Sequence, residues 1–194
     1  MRALIYFPII HSPKDLGSLG KAASDLRSNT QENKYLDAVK QFWEIVAKTI
    51  EGLELDYSGL KLYQDGLPVC GKEKEIVAEV AESGSENHRL LQTLNQKGAV
   101  LMGTESPELL VKERELMMQM LNPTGGVMAD SLEKAQTLLN QRDEYIAQRI
   151  AQTLQNNEMG ILFLGLMHDI EAKLPEDIFL IEPLGKPSVL RGGS

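Results

Sequence analysis

Short, continuous apolar runs alternate along this chain with segments of helical periodicity, and that alternation limits the fold more than anything else. A sheet with one wet face would show apolar and polar residues in strict alternation within each strand. Runs such as RALIYFPII (2–10) and MGILFLGL (159–166) are instead apolar on both faces, which suits parallel strands covered by helices on both sides. GLKLYQDG (59–66), AVLMGTE (99–105) and DIFLIEPL (177–184) are the other strand candidates. The expected strands lie near 2–10, 60–64, 99–104, 160–167 and 178–182, the first four mutually parallel.

Between the strands lie the helices. Leu36, Val39, Trp43, Val46, Ile50 and Leu53 recur at spacings of three and four, which predicts a helix over 32–53. Two shorter helices follow at about 72–82 and 86–97, the second closed by Gly98. Ser106-Pro107-Glu108 opens another with an N-cap serine, a first-position proline and an early acid. NPTGG (122–126) interrupts it, and 130–156 forms the longest helix. The expectation is an α/β fold: one domain over 1–185 with a mostly parallel sheet of about five strands, followed by a flexible tail over 186–194.

Composition removes several function classes. A net charge of −8 and a pI near 5.0 provide no basic surface for nucleic acid or an anionic membrane. No apolar stretch approaches the length of a spanning helix. Cys70 is the only cysteine, so neither an internal disulfide nor a multi-cysteine zinc site can form. A cytoplasmic protein acting on a small molecule or peptide is expected, with a homo-oligomer left open.

The residues that carry chemistry follow from the strand ends. In parallel sheets ligands bind beyond the carboxyl ends of the strands. His11, Asp65, Glu105 and His168 all lie immediately after strand candidates, so four ionisable groups are expected to converge on one edge. Two imidazoles with one or two carboxylates match the ligand set of zinc, manganese, cobalt or iron. If His11 and His168 share a metal, their imidazole nitrogens must lie within about 5 Å of each other.

Arg142 belongs to the same picture. From Ala135, the positions i+4, i+11 and i+15 are Leu139, Ile146 and Ile150, and Arg142 occupies i+7. A guanidinium on that core-facing stripe needs an acidic or anionic partner. It is either paired structurally with Glu105 or Asp169, or it clamps a substrate anion. The clamp is the reading preferred from the sequence.

Other motifs carry less. Cys70 precedes a helix whose first turn holds Glu73 and Glu75, which disfavour a thiolate, so a buried structural cysteine is expected. His88 fits an ordinary helix start. GSLGK (17–21) and Gly125-Gly126 lack phosphate-loop spacing. Ser12 and His11 are adjacent in sequence and tend to point apart.

Taken together, PIIH (8–11), RDEYIAQRI (142–150) and GLMH (165–168) resemble the TraB/GumN and Tiki group, related to ChaN-like and erythromycin-esterase-like folds. That group carries a GxxH motif near its first strand, an acid after a following strand, an arginine-led helix and a second GxxH. Pro8 here replaces the first glycine, and the resemblance covers mainly 1–15 and 138–185. It implies an α/β fold with a metal-dependent hydrolytic or proteolytic site. His11 and His168 would be ligands, Glu105 or Asp65 the acidic ligand or general base, and Arg142 the group that stabilises negative charge. The competing class is a non-enzymatic protein that holds an anionic small molecule through Arg142 and the strand-end histidines.

Overall fold

The structure is a computed structural model that describes residues 1–10, 29–121 and 128–185. Strand β1 (Arg2–Ile9) precedes helix α1 (Asn29–Gly52), and β2 (Lys61–Gln64) is followed by α2 (Glu73–Glu82) and α3 (Glu86–Gln96). Next come β3 (Val100–Met102), α4 (Pro107–Leu121) and α5 (Met128–Thr153), then β4 (Met159–Gly165), a 3₁₀ turn (Glu171–Lys173) and β5 (Ile178–Ile181). The five strands form one sheet in the order β3-β2-β4-β1-β5, and every pairing is parallel. The α/β architecture expected from the apolar runs is therefore present, with β5 parallel as well. The assigned tail over 186–194, His11, Ser12, GSLGK and Gly125-Gly126 lie outside the described residues.

Chain direction explains which face each helix covers. From β1 the chain steps past β4 to β2 and then to β3; it then reverses, returning to β4 and ending at β5. Crossovers that share one hand must place outward steps on one face and return steps on the other. The core divides accordingly. Val39, Trp43, Val46 and Ile50 of α1, Val77 of α2, and Leu91 and Leu94 of α3 pack with Ile5, Phe7, Leu62, Ile161 and Phe163. Ile146, Ile150 and Leu154 pack on the opposite face against Leu4, Tyr6, Tyr63, Leu162 and Leu164. Phe7 stacks on Phe163 at 5.7 Å between ring centroids, and Trp43 covers Phe163 at 6.0 Å.

The close spacing of the last two strands is resolved by position. Both pair with β1, one on each side, and the connection from 166 to 177 crosses it with only the 3₁₀ turn and the buried Ile170. Local signals hold where caps decide the ends. Ser106 Oγ accepts from the Leu109 amide at 3.4 Å, and Gly98 adopts φ +113° after α3. His88 fits the helix-start role, because its amide and ring Nδ1 both lie on Ser85 Oγ, at 3.1 and 2.9 Å. Cys70 is a correction. It is exposed rather than buried, since Glu73 Oε1 accepts from the Cys70 and Gly71 amides and holds the loop outside the core.

That loop also requires Gly103. A Cβ there would lie 2.7 Å from Val69 Cα, 2.9 Å from Pro68 O and 2.7 Å from Glu73 Oε1. Two of these neighbours are backbone and cannot swing aside. Gly103→Ala is expected to cost about 1–3 kcal/mol through forced displacement of the 68–70 backbone. Chemical denaturation would show it as a lower midpoint at unchanged slope, and an unshifted midpoint would mean that the loop yields freely.

Candidate functional site

Strand alternation sends Tyr63 to the α5 face and Leu62 to the opposite face, so Asp65, next in phase with Tyr63, arrives on the α5 side. There its amide donates to Phe163 O at 2.9 Å, and its Oδ2 accepts from the Gly165 amide at 2.8 Å. Glu105 is brought alongside because pairing continues beyond β2 and β3. Pro68 and Glu105 form a parallel bridge, and Val69 N donates to Glu105 O at 2.9 Å. Gly66 N then donates to Glu105 Oε1 at 2.9 Å. The Glu105 side chain has no solvent exposure.

Helix α5 supplies the cation. Its buried residues are Leu138, Arg142, Asp143, Ile146, Ala147 and Ile150, while Ala135 and Leu139 of the expected stripe are only half buried. Arg142 is 5% exposed. Its Nε donates to Glu105 Oε2 at 2.8 Å, and Nη2 donates to Glu105 Oε1 at 2.5 Å and to Asp65 Oδ1 at 2.9 Å. Nη1 donates to Glu113 of α4. The guanidinium is thus shared by three carboxylates, which corrects the clamp reading: four of its five N–H groups are already committed. Burial opposes its charge, but Glu105 and Asp65 outweigh that and hold its pKa above the ordinary arginine value. The Asp169 alternative does not form. Asp169 is exposed, and its backbone N–H donates to Asp143 Oδ2 at 3.0 Å.

His168 is the other half of the site. Its ring Nδ1 lies 2.5 Å from Asp143 Oδ1, and Nε2 lies 3.5 Å from Asp65 Oδ2. The side chain is 3% exposed. Burial lowers the imidazole pKa, but Asp143 and Asp65 more than reverse this and push it up to about 9. Burial pushes the Glu105 carboxyl up, against the pull of Arg142. Asp65, Glu105, Glu113 and Asp143 carry four acid groups against one guanidinium and one imidazole. With all four ionised and His168 protonated, these six groups still sum to −2.

Asp65, Glu105, Arg142 and His168 therefore meet at one place, as the strand-end argument expects. His11 lies outside the described residues. Asp143 and Glu113 were missed by sequence reasoning. Asp143 carried a signal: it shares a buried stripe with Arg142, Ile146 and Ile150, and two adjacent charges on one apolar stripe call for mutual partners. Glu113 carried none, because α4 has charges all round.

One ligand atom each from Asp65, Glu105 and His168 lie within 4.8 Å of one another. The donor set fits a divalent ion on two counts. It is rich in negative charge, and His168 has its Nδ1 held by a carboxylate, the arrangement that orients a metal-binding imidazole through Nε2. Among the described residues no helix is long and apolar enough to cross a membrane. No family model, curated protein or solved structure matches this chain.

Proposed function

We propose that Asp65, Glu105 and His168 hold a divalent cation and that the protein is a metal-dependent hydrolase of a small molecule or peptide, working in the cytoplasm. The observation that carries this reading is the Asp143–His168–Asp65 chain, in which one carboxylate fixes the imidazole and the opposite nitrogen faces a second carboxylate. The motifs resembling the TraB/GumN and Tiki group carry the same expectation and add His11 as a further ligand.

Zinc, manganese, cobalt or iron in such a place supplies Lewis acidity and makes water more acidic. The chain's own residues do the rest. Asp143 holds the His168 proton on Nδ1, so that Nε2, which faces Asp65, is the nitrogen that would bind once it gives up its own proton. Of Asp65 and Glu105, one would serve as the acidic ligand and the other could take a proton from water as general base. Arg142 keeps the crowded carboxylates together. An anion-binding role is less favoured, since Arg142 spends its donors on protein carboxylates.

Elemental analysis of protein purified without chelators or a histidine tag tests this directly. About one equivalent of divalent metal is expected, falling sharply in His168→Ala and Glu105→Gln. Cation at a hundred times its Kd should also stabilise the wild type by about 2.7 kcal/mol. A metal-free chain that gains no stability from any of the four ions would leave the proposal without support.

A further inference from the structure

A cation on Glu105 must share the carboxylate with Arg142, which is bonded to both of its oxygens. Its Oε1 already receives Gly66 N and Arg142 Nη2, and its Oε2 receives Arg142 Nε. Asp65 differs, since Arg142 takes Oδ1 while Oδ2 faces His168 and Gly165. An ion that draws on Glu105 therefore meets the guanidinium bound to the same carboxylate and repels it. Among the described residues the guanidinium has one other carboxylate partner, Glu113 on α4, and that side chain is 34% exposed against 6% or less for Arg142, Asp65 and Glu105.

We propose that Glu113 is a positioning residue: when a divalent cation occupies Asp65, Glu105 and His168, Glu113 takes over Arg142, so that occupancy of the site fastens α4. This rests on the cation-site reading above. The direction follows from where the charge can be met. Glu113 is the partly hydrated acceptor on the far side of the guanidinium, where moving the positive charge away from a cation leaves it paired. The consequence for α4 follows from its weak seating. From Pro107 to Met120 it has no fully buried residue, and Leu109, Leu110, Glu113 and Leu116 are half buried. The ion pair from Glu113 ties the middle of this helix to a buried arginine of α5.

Titration calorimetry with Zn²⁺ and with Mn²⁺, paired with amide hydrogen exchange, tests this. Glu113→Gln is expected to weaken cation binding about ten-fold. In an Arg142→Met background the same change should have less than about a two-fold effect, because Glu113 acts through Arg142. Amides over 109–116 should exchange about ten-fold more slowly when the wild type is loaded, and Glu113→Gln should abolish that slowing. If Arg142→Met does not fold, the exchange experiment decides alone. Cation binding with unchanged α4 exchange would overturn the inference and leave the cation site standing. An equal loss of affinity with and without Arg142 would also overturn it, since that is plain attraction through space. Absence of binding in the wild type would overturn the cation site itself.

Discussion

Arg142→Met is expected to lose about 3–5 kcal/mol of stability, the cost of leaving buried carboxylates without their cation. Asp65 and Glu105 are both buried, and three of the four Arg142 hydrogen bonds go to them. Methionine matches the aliphatic stem in bulk, so the loss reports charge rather than volume. Combining Arg142→Met with Glu105→Gln should restore part of the loss, because removing both partners of a buried pair costs far less than removing one. Urea unfolding of the single and double variants measures both numbers. A single variant within about 1 kcal/mol of the wild type would mean that water reaches these carboxylates and that the arginine is not a core ion-pair residue.

Stability of the cation-free protein should fall as the pH rises from about 6.5 to about 9. The His168 pKa is raised from 6.5 to about 9 by Asp143 and Asp65 acting against burial. Below 6.5 the imidazole is protonated in both folded and unfolded chains, and its ion pairs contribute in full. Between the two values the unfolded chain gives up the proton while the folded chain keeps it, so each pH unit removes roughly 1.4 kcal/mol. The whole window amounts to about 3 kcal/mol. Glu105 acts in the same sense, because a carboxyl whose folded pKa is raised favours the folded state at low pH. His168→Gln should flatten the profile above pH 6.5. Saturating Zn²⁺ or Mn²⁺ should reverse its slope, since a metal takes the neutral imidazole. A wild-type profile already flat between pH 6.5 and 9 would remove the Asp143–His168–Asp65 chain as a charged unit.

The sheet was legible because its signal is local. Each strand is an apolar run bounded by polar residues, as burial on both faces of a parallel sheet requires. The strand-end residues were legible for the same reason: a polar group directly after a buried strand has one edge of the sheet available to it. Asp65, Glu105 and His168 converge as that geometry requires. The role of Arg142 was not legible. Helical phase placed it on the buried side, but choosing between a protein carboxylate and a substrate anion needs the positions of Glu105, Asp65 and Glu113, which are 37, 77 and 29 residues away.

What the sequence determined by itself is the α/β class, the location of the strands and the edge on which chemistry is possible, because hydrophobic periodicity and caps act over a few residues. Tertiary structure alone decided the strand order, the pairing of Asp143 with His168 and the three-way sharing of Arg142. It also decided that Cys70 faces solvent. These depend on which distant segments the crossovers bring side by side, and electrostatic partners in a buried site are chosen by distance in space rather than by spacing along the chain.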